Sequence, residues 1–191
     1  QLTVTGQKAL EISRIDNYDF RFEFYPTPGE ILSFSAFYKN FDKPVERIYL
    51  IDGTQPGIQY RNMKSAKASG FELDFRKSLA FVSDASRFFR HLTVNGNFSY
   101  ISGKVVDLVT VILINPYRDS SYEVNADRPL QGLSPHIINA GISYDDTAWG
   151  FNIAYNRAGR RNLTGGANIL VTQYENPRNL LDIQFNGKFI K

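Results

Sequence analysis

Asn17-Tyr18-Asp19-Phe20-Arg21-Phe22-Glu23-Phe24-Tyr25 decides the fold. Tyr18, Phe20, Phe22 and Phe24 fall on one parity; Asp19, Arg21 and Glu23 fall on the other. Successive side chains of an extended strand point to opposite faces, so the stretch predicts a strand with one aromatic and one charged face. Pro26-Thr27-Pro28-Gly29 then makes a tight turn by composition. The period of two returns from Glu30 to Phe41, where Leu32, Phe34, Ala36 and Tyr38 oppose Ser33, Ser35 and Lys39, and Phe37 intrudes on the polar face. It returns again from Ser69 to Leu79, with Phe71, Leu73 and Phe75 against Glu72, Asp74 and Arg76.

Four more strands follow. Arg90 to Ser102 places Leu92, Val94, Phe98 and Tyr100 opposite Thr93, Asn95, Asn97 and Ser99. His136 to Tyr144 carries Ile138, Ala140, Ile142 and Tyr144 on one face. Trp149, Phe151, Ile153 and Tyr155 alternate with Asn152, Ala154 and Asn156, and Leu181, Ile183 and Phe185 with Asp182, Gln184 and Asn186. The connections sort by length. Pro26–Gly29, the stretch around Ser83–Ser86, and Asp145–Thr147 are short; Asp42–Ala68, Gly103–Pro135 and Arg157–Arg178 are long. The long ones hold strand-like pieces of their own at Ile48–Ile51, Ile58–Arg61 and Val105–Ile114, the last suited to extend a strand.

Short turns at one end and long loops at the other, with strands of a length that suits a tilted crossing, are the pattern of an outer-membrane β-barrel. Phe24, Tyr25, Phe81, Phe88, Phe89, Tyr144 and Trp149 gather beside the short turns, as an interfacial aromatic girdle requires. A soluble β-sandwich also alternates, but its loops need not sort by length and its apolar face would favour Val and Ile. The fold class is therefore all-β: an antiparallel up-and-down barrel wall of seven firm strands, or eight if Leu2 to Val4 is included. Bacterial single-chain barrels have an even strand number. The chain stops at Phe189-Ile190-Lys191 where a short turn is due, without a terminal aromatic, and its long loops are large for a minimal barrel. Residues 1–191 are thus expected to be one portion of a larger transmembrane barrel, the alternative being a complete small barrel with a structural or adhesive role.

Composition agrees. The 15 Phe, 11 Tyr and 1 Trp coexist with a mean hydropathy of −0.30, so apolar side chains are interleaved with polar ones. No run approaches the roughly 18 apolar residues of a membrane helix. The 22 Lys and Arg are scattered among 19 Asp and Glu for a net charge of +3, without the basic stripe of a nucleic-acid binder. There is no cysteine, which removes disulfides and thiolate metal sites. Gln1 onward shows no basic segment leading into an apolar one, so no export signal is legible.

Particular residues resemble a known family. Asn17–Phe24 with Pro26–Glu30 and Ser33–Phe41, followed by Pro44-Val45-Glu46, is similar to the barrel domain of TonB-dependent outer-membrane receptors of the Bacteroidetes type. Ser69-Gly70-Phe71-Glu72-Leu73-Asp74-Phe75-Arg76-Lys77-Ser78-Leu79 resembles that family's next strand. Arg128-Pro129-Leu130-Gln131-Gly132-Leu133-Ser134-Pro135, running into Ile138-Asn139-Ala140-Gly141, is the most specific stretch, and Asn176–Asp182 resembles the lead-in to a later strand. The resemblance covers nearly everything from Ala9 onward and implies the C-terminal part of a barrel of about 22 strands with a plugged lumen. It further implies residence in the cell outer membrane and import of a scarce ligand (siderophore, haem, oligosaccharide or peptide). The energy would come from the TonB complex, through an N-terminal plug and coupling segment outside this chain. Outer-membrane lipid, plug, TonB complex and ligand are the implied partners.

No catalytic set emerges, and no enzyme activity or cofactor is expected. His91 and His136 are both expected at strand starts beside short turns, without a partner at metal-ligand spacing. Asp19, Glu23, Glu72, Asp74 and Asp182 share the polar face, where they would line water or meet a plug, and lack support as an acid–base pair. Gly165-Gly166 and Asn186-Gly187-Lys188 lack phosphate-loop spacing, and sequons at Asn97 and Asn162 are at chance frequency. Long loops carry contacts in such barrels, so Tyr49, Tyr60, Arg61, Tyr117, Arg118, Tyr122 and Arg160 are the candidate ligand contacts, with ordinary loop packing as the competing reading.

Overall fold

The computed structural model describes residues 3–5, 9–52, 55–113, 120–166 and 173–187. Its strands in chain order are β1 (Thr3–Thr5), β2 (Arg14–Phe24), β3 (Ile31–Asp42), β4 (Val45–Asp52), β5 (Gln55–Asn62), β6 (Ser65–Ser78) and β7 (Leu92–Leu113). They continue with β8 (Ser120–Pro129), β9 (His136–Asp145), β10 (Trp149–Ala158), β11 (Arg161–Gly166), β12 (Gln173–Glu175) and β13 (Arg178–Gly187). A 3-10 turn, Ala80–Val82, and one helical turn, α1 (Arg87–Arg90), lie between β6 and β7.

Seven strands form an antiparallel wall in the order β13-β10-β9-β7-β6-β3-β2, with β8 added beside β7. They are the seven strands that the alternation predicts. Among the described residues β2 and β13 share no ladder, so the wall is open. Register carries one face across the whole wall. Phe22 pairs with Phe34, Phe34 with Leu73, Leu73 with Phe98, and Phe98 with Ile138. The apolar face continues through Phe151 against Tyr144 and Phe185. On this face Phe22 is 57% exposed and Phe185 72% exposed. From Tyr18 to Phe24 the band runs about 20 Å along its strand, or about 15 Å of height once barrel tilt is allowed for, which fits within the roughly 25 Å apolar height of an outer-membrane wall.

The opposite face is polar. Glu23, Ser33, Asp74, Asn97, Asn139 and Asn156 are successive ladder partners across it. Asn156 Nδ2 donates to Asn139 Oδ1 at 2.6 Å, and Asn139 Nδ2 to Asn97 Oδ1 at 3.4 Å. Gly70 lies on this face beneath the Phe37 ring, which explains the aromatic that interrupts the polar parity of β3. A Cβ there would stand 2.8 Å from Phe37 Cζ and closer still to the Tyr100 carbonyl. Gly70→Val is therefore expected to cost about 1–3 kcal/mol by overpacking. Gly187→Val, at a position with nothing within 4 Å of its Cβ, should leave the urea midpoint near that of the parent.

The short-turn rim is built for its bends. Glu30 N donates to Thr27 O at 3.0 Å across Pro28 and Gly29, whose φ of +85° suits glycine at the third position of a type II turn. At the β9–β10 turn, Asp146 Oδ1 accepts from Ala148 N and Trp149 N at 2.7 and 3.1 Å, and Oδ2 from the Tyr144 hydroxyl at 2.6 Å. Tyr144 is 3% exposed within an aromatic stack, its ring 4.4 Å from Trp149 and 5.3 Å from Phe88. The Tyr144 hydroxyl, then the two amides, hold the Asp146 carboxyl well below the usual carboxylate range. A depressed folded pKa stabilises the turn above the unfolded carboxylate value, about 3.9, and that stabilisation disappears as pH falls through the folded pKa. Asp146→Asn should thus lower the melting temperature at pH 7, and the gap from the parent should narrow below about pH 4.

At the long-loop rim a second sheet assembles in the order β1-β5-β4-β11-β12. The strand-like pieces expected at Ile48–Ile51 and Ile58–Arg61 are the β4–β5 hairpin. Thr3–Thr5 pairs in parallel with β5, so it belongs to this sheet and supplies no eighth wall strand. The apolar piece predicted from Val105 extends β7, which pairs with β9 from Leu92 to Tyr100 and with β8 from Lys104 onward. Between the sheets Ile48, Met63, Ala66 and Val105 form a small buried core, with Phe41 and Leu130 packed on it.

Candidate functional site

The polar face of β2, β3, β6 and β7 bounds a half-open cavity of about 570 Å³ near the long-loop rim. Asp19, Arg21, Lys39 and Glu72 supply charges, Phe37 and Phe41 supply rings, and Leu130 and Leu133 close one side. Arg21 is held in place: its Nε is 2.5 Å from Glu23 Oε1, and its guanidinium donates to Ser35 Oγ at 3.2 Å. Asn17 bonds the Asp19 carboxylate, and Lys39 Nζ lies 5.6 Å from the Phe37 ring centroid. Cations, carboxylates and rings lining one cavity can pair with and stack on a polar ligand.

The closing leucines are placed by the segment Arg128–Pro135, which spans the point where β7 changes partners. Ile101 N donates to Pro135 O at 3.0 Å, and Leu130 N to Gly103 O at 3.1 Å. Gln131 then ties β4 to β11: its Oε1 accepts from Arg47 N at 3.0 Å, and its Nε2 donates to Arg47 O and Leu163 O at 3.1 and 2.5 Å. Its own backbone N–H donates to Glu46 Oε1 at 3.0 Å, while Glu46 Oε2 lies 2.5 Å from Arg128 Nη2. Glu46 is 4% exposed, so this ion pair is buried between the sheets. Gly132 N donates to Asn162 O at 2.7 Å, and the Ser134 hydroxyl is within reach of the His136 and Gly159 carbonyls. Arg128–Pro135 is thus a strap binding the second sheet to the wall.

The loop candidates scatter. Tyr49 and Tyr60 lie on one face of the β4–β5 hairpin, beside Ile58 and Arg47 respectively, and Arg61 faces the other way opposite Glu46. Tyr122 is in β8, paired in register with Val111. Tyr117 and Arg118 lie outside the described residues. Arg160 does meet a partner: its guanidinium sits 4.1 Å over the Tyr174 ring, and both line a second cavity of about 430 Å³. His91 caps α1 and immediately precedes β7 at the short-turn rim, beside the expected strand start. His136 is a correction: it starts β9 at the long-loop rim, its ring packed against Gly159, because β9 descends from the strap.

An open antiparallel wall with an exposed aromatic band outside, a polar charged face inside, and ordered loops above one rim defines a membrane β-barrel wall. The family model for the TonB dependent receptor-like beta-barrel matches residues 2–189, and the chain belongs to that family, one of outer-membrane transport receptors. Among solved structures the chain is similar to a point mutant of the ferric enterobactin receptor from Pseudomonas aeruginosa, at 11% identity and a TM-score of 0.55. That match covers 94% of this chain and 24% of the receptor, so the chain spans about a quarter of its length. No curated protein matches the sequence.

Proposed function

We propose that residues 1–191 are part of the wall of an outer-membrane active-transport receptor. In this reading the plug and the remaining strands lie outside the chain, and TonB supplies the energy for uptake. The observation that carries it is the cavity on the polar wall face, closed by Leu130 and Leu133 and backed by an outward band suited to lipid. The open edges at β2 and β13 support a larger barrel over a complete small one with a structural role. Arg21, Lys39, Phe37 and Phe41 are the wall's contributors to the ligand site, with Arg160 and Tyr174 at its outer margin. Siderophore, haem, oligosaccharide and peptide are distinguished by experiment. Deleting the gene that carries this sequence should abolish growth on one of these as the limiting nutrient, and disabling TonB should reproduce the loss. Unchanged growth on all four would contradict the transport reading.

A further inference from the structure

The outward face of β6 and β7 changes character in steps toward the long-loop rim. Phe71 opposes Tyr100, then Ser69 opposes Ser102, then Lys67 opposes Lys104. Directly opposed residues in an antiparallel ladder hold their Cβ atoms roughly 5 Å apart, and two like charges so placed repel. Both lysines are exposed, and among the described residues neither ammonium has a hydrogen-bond or ion-pair partner. With Ser69, Ser102 and Tyr38 they line a hollow of about 440 Å³ that also holds Asp127. Asp127 pairs with Val106, one row beyond the lysines, so the lysine row stands between this carboxylate and the aromatic band. The pair is unfavourable for the sheet alone and becomes favourable when an anion lies between the two charges.

The height of the pair says which anion. Lys67 lies about 13 Å along the strand from Phe71, or about 10 Å above the aromatic row once barrel tilt is allowed for. Polar headgroups occupy that layer beside the hydrocarbon core. We propose that Lys67 and Lys104 bind the phosphate of a membrane lipid headgroup, Ser69, Ser102 and Tyr38 offering hydroxyls and the acyl chains lying against Phe71 and Tyr100. The inference rests on the membrane-wall reading of the aromatic face.

The test is native mass spectrometry of the whole receptor in nonionic detergent, titrated separately with phosphatidylglycerol, neutral diacylglycerol and inorganic phosphate. Phosphatidylglycerol should be retained over diacylglycerol, and the double variant Lys67→Gln with Lys104→Gln should retain it at least about tenfold less. The double arginine variant should keep it, and Arg76→Gln, on the polar face, should leave it unchanged. Equal retention by the double glutamine variant, or equal retention of diacylglycerol, would overturn the site. Inorganic phosphate held as tightly as the lipid would overturn the lipid assignment. Heat-modifiable mobility in the outer-membrane fraction is scored for each variant. Its absence from the parent would defeat the wall reading, whereas its presence without lipid selectivity would defeat this site alone.

Discussion

Leu73→Arg is expected to destabilise the folded receptor in the bilayer by about 2–4 kcal/mol, the cost of a cationic side chain on the lipid face near the midplane. Leu73 stands between Phe34 and Phe98 at mid-height of the aromatic band. Asp74→Arg, one residue on, points to the polar face between Ser33 and Asn97 and should cost no more than about 1 kcal/mol. Folding yield into lipid vesicles against urea measures both. The contrast between neighbours is the informative quantity: equal losses would mean that the two faces do not meet different solvents.

Glu46→Ala is expected to loosen the loop sheet by about 3 kcal/mol, because it withdraws a buried carboxylate from the Arg128 guanidinium and from the Gln131 amide. Glu46→Gln keeps an acceptor for Gln131 N while losing the charge, and should fall between parent and alanine. Hydrogen exchange localises the effect. Protection of the Gln131 and Gly132 amides should drop sharply, while amides of the β6–β7 ladder remain protected. Unchanged protection at Gln131 would show that the ion pair does not hold the strap.

The wall was legible because each crossing writes its two solvents into alternate residues. Tyr18 to Phe24 and Phe71 to Phe75 needed no tertiary information to be assigned a face. What surrounds the wall was only half legible. The pieces of β4 and β5 show as β-prone runs, but β4 pairs with β11 and β1 pairs with β5 in parallel, and such distant pairing leaves no local pattern. The helical turns between β6 and β7 are too short to show a 3.6-residue period.

The site was harder still. Loop tyrosines and arginines follow from the habit of loops to carry contacts, yet the larger cavity lies on the wall strands themselves. Its signal was present as Phe37 and Phe41 on the polar parity of β3, two rings where water-facing side chains were due. Likewise Arg128–Pro135 stood out as a motif, but its work as a strap depends on Glu46, Arg47 and Leu163, which are distant in the chain.

Spin labels at single cysteines along residues 70–76 of the whole receptor in lipid vesicles report which solvent each face of β6 meets, since this stretch contains no native cysteine. Labels at Phe71, Leu73 and Phe75 should collide with oxygen dissolved in the bilayer, and labels at Glu72, Asp74 and Arg76 with a water-soluble paramagnetic reagent, alternating residue by residue. Accessibility that fails to alternate, or oxygen contact on the Glu72–Asp74–Arg76 face, would contradict a lipid-facing barrel wall.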